Sequence, residues 1–421
     1  MSLRFLRHLV PYRAVPKQYR RRGYRHTVSW IFFGMFFGTA VTHGPFVIRQ
    51  LGGSALHSLL LNIGQGLPLV PALFWVPLIE RRNPVRMTGL FLALGGVVMT
   101  FSAFTDGTLS LSLLLMGAMM FTTLYRPTYG TSMQQIYPRE WRGQLMSLPS
   151  TVGMLARVAW LSLAGILLKV NLDSYHLVFP IAGVCMITGG WLFRGIGGSR
   201  GGKGEDLLEE SPSVGSYTSS VLRWVWERKP LLVFLLGYWL VAAGGVLFFN
   251  ALPLYASDEL GITPDKWGYA NAGYRLATLL SFWFWGLFLD RFGAPITILV
   301  TWTGMGLLMG GMFFVTGWVP FVLLVVLRGL FMAGNMLAFF PIVMHFTDSA
   351  ETFRGMSLHF TLWGLRWIIM PLVVVLVVDG ALFPQRYLFL ITLLMVAAGV
   401  AVMGRIWWRD RAEGTAGPQG S

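Results

Sequence analysis

Apolar residues run along this chain in long unbroken stretches, with polar residues collected between them. Twelve stretches reach the roughly 20 residues that a helix needs to cross a bilayer core. They lie near 28–47, 55–79, 87–105, 109–136, 144–168 and 174–193, then, after a polar interval, near 230–252, 267–289, 295–316, 319–345, 356–378 and 386–404. In hydrocarbon only helices and closed barrels satisfy their own backbone hydrogen bonds. Runs this long lack the two-residue alternation of barrel strands. The pattern predicts an all-α membrane protein with twelve transmembrane helices.

The polar interval, 194–229, carries GIGGSRGGKGEDLLEESPSVGS and reads as a flexible linker between two sets of six spans. Val221, Leu222, Trp224 and Val225 at its end have the spacing of a short interfacial helix. The predicted organisation is a basic arm at 1–27, a six-helix bundle at 28–193, the linker at 194–229, a second bundle at 230–404 and a tail at 405–421. Residues 1–26 hold eight Lys or Arg and no acid, and Pro11 and Pro16 interrupt any apolar core, so the segment reads as an arm and not a cleavable signal. With the N-terminus inside, 24 Lys or Arg fall in cytoplasmic segments, four (Arg49, Lys169, Lys266, Arg386) fall outside and five within spans. The positive-inside rule therefore predicts a multi-pass protein of the cell (inner) membrane with both termini and the linker cytoplasmic.

Composition agrees. Hydrophobic residues make up 55 % of the 421 and charged residues 12 %, about half the charged share of a soluble domain. The net charge of +15 is spread over short loops and not gathered on one face, which argues against nucleic acid. The single cysteine, Cys185, lies in an apolar span and reads as a small core filler; no disulfide framework or Cys-rich metal site is available. Gly197 to Lys203 echoes a phosphate-binding loop, but Gly204 stands where Ser or Thr is needed and no strand precedes it. Neither a cofactor nor a metal is expected.

The two sets of spans rhyme. Phe74-Trp75 precedes Glu80-Arg81 after span two, and Phe284-Trp285 precedes Asp290-Arg291 at the same spacing after span eight; Gly117 and Gly329 each lie 25 residues before an Arg-Gly, at Arg142 and Arg354. Paired halves of this kind point to a transporter with a site where the repeats meet.

With these residues in view, the chain resembles the major facilitator superfamily from its first span to its last. The most specific element is GLFLDRFG, where Gly286, Asp290, Arg291 and Gly293 match the family's loop signature; Ala294 and Pro295 replace the basic residues that usually follow. In the first-half copy Glu80 and Arg81 match in type, while Val76 and Asn83 replace the glycines. Arg328-Gly329 resembles the family's span-ten arginine, with Met116 at the corresponding place in span four. The span-five Gly-Pro signature of drug/proton antiporters is absent. The resemblance implies two six-helix bundles around a cavity lined by spans 1, 4, 7 and 10, with 2, 5, 8 and 11 contributing and 3, 6, 9 and 12 packed outside, and transport by rocking of the halves. It also implies a gate in which Asp290 meets Arg354 and the positive end of span eleven, with Glu80 and Arg81 as the first-half counterpart. The plainer alternative is that Arg291 only marks an inside loop.

Arg126, Arg157, Arg275, Arg328 and Arg366 lie well inside spans 4, 5, 8, 10 and 11. Arg366 is twelve residues from Arg354, roughly 18 Å at 1.5 Å per residue, too far for its head group to reach the interface. An arginine at mid-bilayer costs at least about 2.5 kcal/mol and usually faces protein or a water-filled interior. All 18 Asp and Glu fall in loops, the linker, termini or span ends, so no carboxylate is placed to neutralise these groups. A bound anion, held by charge-assisted and often bidentate bonds, would do so; helix-end carbonyls, side-chain amides or water are the alternative partners for any one of them. Arg126 and Arg366 are nearest mid-span. Thr122, Thr123 and Tyr129 share a helical face with Arg126, Asn271 lies a turn before Arg275, and His359 and Trp363 share a stripe with Arg366. His359 could titrate near neutral pH.

The leading expectation is a secondary transporter for a small anionic solute, coupled to a proton through His359 or to a counter-anion. An exporter of amphipathic or neutral compounds, with a cavity rich in the chain's 31 Phe and 21 Met, is a second reading. A non-transporting assembly factor with a transporter fold is a third. No nucleophile–base pair or metal cluster within the spans suggests an enzyme.

Overall fold

The computed structural model describes residues 15–72, 75, 82–197, 221, 223–345 and 352–412, with backbone alone at 139–140, 143–144, 230, 340–345, 352–357, 406 and 409–412. The described chain is helical and has no strand. Helix α1 runs Lys17–Gln50, α2 Ala55–Gly66, α3 Pro84–Thr100, α4 Thr108–Ile136, α5 Arg139–Val170 and α6 Tyr175–Arg194. After the linker come α7, Lys229–Asp258, and a run from Pro264 to Gly311 that breaks at Gly293, where φ is 76°. The part before Gly293 is α8 and the part after it α9. Helices α10 (Trp318–His345), α11 (Thr352–Val378) and α12 (Tyr387–Ala412) complete the order. Ten stretches are long and apolar enough to cross a membrane; one of them holds both α8 and α9. Helix α2 begins the remaining span, whose continuation at 73–79, Trp75 apart, lies outside the described residues. The twelve-span expectation therefore holds.

The chain forms two compact units. The first is Met1–Pro212 together with Thr263–Ala272, and the second is Ser213–Ile262 with Gly273–Ser421. The short insertion into the first unit is the beginning of α8. In the first unit α3 packs along α6, α1 lies against α5 and α6, and α2 against α4; in the second, α7 packs on α12 and α11.

Packing without a hydrophobic driving force relies on close approach and on satisfied polar groups. Between α3 and α6 the approach is set by reciprocal glycines. A Cβ on Gly96 would stand 2.6 Å from the Gly183 carbonyl oxygen, and one on Gly183 2.8 Å from that of Gly96; Gly89 and Gly190 repeat the arrangement a turn or two away at 2.6 Å each. Large apolar side chains face outward instead, among them Trp191, Leu280, Trp283 and Leu394, as lipid solvation allows. Serine and threonine hydroxyls within the helices turn back onto carbonyls one turn earlier, such as Thr122 to Ala118 at 2.9 Å, Ser132 to Thr128 at 2.7 Å and Thr278 to Tyr274 at 2.8 Å.

The internal repeat also appears in the structure. Helix α3 ends in a 3-10 turn at Phe101–Phe104, and α9 ends in one at Met312–Phe314. A tyrosine hydroxyl donates to the carbonyl that follows each turn, Tyr175 of α6 to Thr105 and Tyr255 of α7 to Val315, both at 2.6 Å, though from helices that are not counterparts in the repeat.

Replacing Gly96 by Leu should separate α3 from α6. A loss of about 1–3 kcal/mol is expected from forcing bulk into a packed contact, read as a lower thermal unfolding midpoint of the purified protein. Gly130→Ala, which meets nothing within 4 Å, should leave the midpoint unchanged or raise it.

Candidate substrate site

In the first unit the arginines are held differently from one another. Helix α1 contains a π-helical stretch at Gly38–His43, where the backbone bonds shift from i−4 to i−5 and the helix widens. The Arg157 guanidinium from α5 enters here. Its Nη2 donates to the Phe37 carbonyl at 3.0 Å and to the Thr42 hydroxyl at 3.1 Å, while Trp160 Nε1 donates to Thr39 at 2.6 Å. Arg157 thus pins α5 to the irregular part of α1. Arg126 stands where α4 breaks at Leu124, between helical stretches ending at Thr123 and starting at Tyr125. The neighbouring Pro127 supplies the cause: it has no N–H to give to a carbonyl of the previous turn. Arg126 is partly buried there.

Tyr129, one turn on from Arg126, points into a cluster that the sequence did not disclose. His26 is fully buried among Trp30, Tyr129, Tyr137 and Phe193. Trp30 Nε1, which can only donate, lies 2.6 Å from His26 Nε2, so that nitrogen is the acceptor and the hydrogen of the neutral ring is on Nδ1, 3.2 Å from the Tyr137 hydroxyl. The helix begins at Lys17, ahead of the apolar run, which is how a histidine among basic residues comes to be core.

The second unit gathers three arginines into two places. Arg328 on α10 is buried, with its Cζ 4.5 Å from the centre of the Tyr274 ring and 4.9 Å from that of Phe248. Arg275 lies 5.1 Å from the same Tyr274 ring and within electrostatic reach of Arg328. Two like charges therefore share one tyrosine. Elsewhere in the unit, Arg366 on α11 is 4 % exposed, lies 5.3 Å from the Tyr238 ring and 5.6 Å from that of Trp363, and has a buried Nη1 that makes no hydrogen bond. His359 and Phe339 close the same pocket of rings, 5.5 and 5.1 Å from Tyr238. Beside them Trp302 is held by Asn335 at 2.8 Å. Arg275, Arg328 and Arg366 make no ion pair among the described residues; the Lys169–Asp265 pair at 3.0 Å lies in the first unit. Ring faces compensate a desolvated guanidinium by about 2 kcal/mol or more; Arg366 also bonds to the Tyr238 hydroxyl, and its Nη1 is left open. Arg366 and the Arg275–Arg328 pair are thus electron-poor stations within the second unit.

Of the loop signature, Asp290 and Arg291 are exposed, with Arg291 Cζ 5.3 Å from the Phe292 ring. Gly293 is the residue that needs to be glycine, since it adopts positive φ at the α8–α9 break; Gly286 has open space around it. Glu80 and Arg81 lie outside the described residues, as does the side chain of Arg354. A cavity of about 340 Å³ at one end of the first unit is lined by Asp106, Asp173, Tyr175 and His176 among others, and by none of the membrane arginines.

The family model described as Major Facilitator Superfamily matches residues 6–161 and 234–420. The chain belongs to this superfamily. No curated protein matches it. Among solved structures it is similar to the nucleoside transporter NupG, with a TM-score of 0.66 at 11 % identity over 93 % of this chain and 99 % of that one. It is also similar to the xylose transporter XylE from E. coli, with a TM-score of 0.63 at 10 % identity over 91 % and 99 %. A bacterial homologue of the human lysosomal transporter Spinster gives a TM-score of 0.62 at 12 % identity over 94 % and 98 %. Identity this low establishes the shared fold. As a major facilitator protein the chain is a multi-pass membrane protein with a transporter's architecture, and the superfamily points to transport and not to an enzyme.

In this superfamily member the residues that sequence reasoning did not find are His26, His43 and Trp267, all buried in the first unit. Pro127, next to Arg126, is the sequence feature that accompanies the break in α4. Arg157→Leu should strip the Phe37 carbonyl of its side-chain donor and cost about 1–3 kcal/mol of stability. Thr42→Val should cost less, because the carbonyl bond survives. A thermal midpoint of the leucine variant equal to that of the unmodified protein would show the bonds to be unimportant.

Proposed function

We propose that this protein is a secondary transporter that carries a small anionic solute by alternating access. The observation that carries the reading is Arg366, a buried guanidinium with an unfilled Nη1 between aromatic faces. A carboxylate, phosphate or sulfate oxygen would complete its hydrogen bonds and its charge together. The Arg275–Arg328 pair supports the same reading, since two guanidiniums on one tyrosine repel until an anion joins them. Arg126, with Tyr129 a turn away, is the first-unit candidate, and Arg157 is committed to α1. Asp290 with Arg354, and Glu80 with Arg81, are proposed gate residues. The distribution of basic residues supports a cytoplasmic location for both termini.

A second reading has its own support. The rings of Tyr238, Trp363, Phe339 and His359 would also hold a neutral ring-shaped solute, and the solved relatives include transporters of a nucleoside and of xylose.

The test is stabilisation of the purified protein by a panel of inorganic phosphate, sulfate, mono- and dicarboxylates, nucleosides and sugars, since a ligand of the folded form raises its apparent stability by mass action. An anion should raise the unfolding midpoint. Arg366→Gln should weaken that anion by about 10- to 100-fold, the worth of a hydrogen bond to a charged group, with matching loss of uptake in proteoliposomes. Stabilisation by nucleosides or sugars alone, undiminished in Arg366→Gln, would discard the anionic reading in favour of the neutral one.

A further inference from the structure

His43 closes the π-helical stretch of α1, and its ring is fully buried. Its Nε2 lies 3.0 Å from the Leu161 carbonyl of α5. A carbonyl only accepts, so Nε2 carries the hydrogen and, in the neutral ring, Nδ1 is a bare acceptor. That Nδ1 is buried and makes no hydrogen bond. Buried polar atoms are rarely left this way, and a basic nitrogen without a partner is where a proton binds once water reaches it.

The start of α8 lies against this ring. Residues Thr263–Ala272 pack as part of the first unit. Gly268 lies so close that a Cβ there would stand 2.5 Å from the Leu161 carbonyl oxygen and 3.4 Å from His43 Cε1, the ring carbon between the two nitrogens. Beside it Trp267 Nε1 donates to the Thr42 carbonyl at 2.9 Å, the Trp267 ring stacks on Phe46 at 5.1 Å, and Asp265 pairs with Lys169 at 3.0 Å. An ion pair, a hydrogen bond and a ring stack are among the contacts that seat the segment against the His43 ring.

We propose that His43 is a proton-binding site, and that its protonation unseats the Thr263–Ala272 segment from α1 and α5. The charged groups on the surrounding elements make the direction clear. Arg157 on α5 reaches Thr42, next to His43, and is the charge within electrostatic reach of the ring. Lys169 and Asp265 are paired with each other, Arg49 on α1 donates to Gly53, and Lys266 is exposed. A proton from water adds to the Nδ1 lone pair while Nε2–H stays on Leu161. The resulting cation has an N–H with no acceptor and a guanidinium as its neighbour. The seated arrangement therefore holds the neutral ring, and the unseated one accepts the charge. By linkage, acid favours unseating, and unseating raises the proton affinity of His43. Because the segment continues as α8 into the second unit, its seating is mechanically tied to that helix. In the transport reading this makes the proton the coupling ion, at a histidine other than His359; the local chemistry does not depend on which solute is carried.

The experiment uses the full-length protein in detergent, in a Cys185→Ser background, with a reporter cysteine at Ala270, which is fully buried on the segment. Its maleimide labelling rate is measured at about pH 8 and about pH 5.5, on either side of an ordinary histidine's titration. Dividing by the rate of the same reporter in His43→Gln, which keeps a donor for Leu161, cancels the thiol's own titration. A second reference, Lys266→Cys on the exposed side of the same segment, does so with His43 in place and serves if the glutamine variant does not purify. The normalised rate should rise about fivefold or more on acidification. Gly268→Leu should label fast at both pH values. A normalised rate independent of pH, or slow labelling of the Gly268→Leu protein, would overturn the proposal. None of these readouts needs a substrate, so failure here is separate from failure of the anion reading.

Discussion

A polar group inside a membrane has no water to fall back on. Every N–H, C=O, hydroxyl and guanidinium in the spans must find its partner within the protein or carry the cost of having none. This constraint makes the chain helical and turns its threonines back onto their own carbonyls. It also explains why the π-helical widening of α1 coincides with a guanidinium: the Arg157 Nη2 is already at the Phe37 carbonyl. The irregularity and the arginine are one feature, each making the other affordable.

The same constraint sorts four of the membrane arginines, which in the sequence look alike. Arg157 bonds to backbone and a hydroxyl and ties two helices together. Arg328 lies between two rings and shares one of them with Arg275. Arg366 has rings on its faces and an unfilled edge. Aromatic faces offset charge and cannot accept an in-plane hydrogen bond, which is why the Arg366 Nη1 stays open beside two rings. In the first unit the buried His26 accepts from Trp30 at Nε2 and the buried His43 has an open Nδ1, and close glycine contacts bring backbones together there as they do in the second unit.

Close approach is the other recurring device. The α3–α6 glycines and Gly268 share the property that a single methyl group would meet a carbonyl oxygen, but they differ in what holds the contact. The α3–α6 contact is a long face between two whole helices. The Gly268 contact belongs to a ten-residue segment fixed by a few side-chain interactions, so small changes in charge at His43 weigh heavily on it.

The apolar run lengths, the basic loops and the paired motifs were sufficient to define a twelve-span membrane protein of this superfamily, because lipid solvation acts residue by residue and is written directly into composition. GLFLDRFG was legible for the same reason that Gly293 needs positive φ: a local backbone demand leaves a local residue signature. The choice of arginines as candidate residues was equally readable, since mid-span charge is costly wherever it occurs. Which arginine is tied to backbone and which is left open was not readable, nor that a histidine among the basic residues near the start would be core. Those outcomes depend on which side chains from distant helices arrive at the same depth and angle. Only tertiary packing sets that, as when α5 delivers Arg157 to the widened turn of α1 and the first turns of α8 deliver Gly268 to the edge of His43.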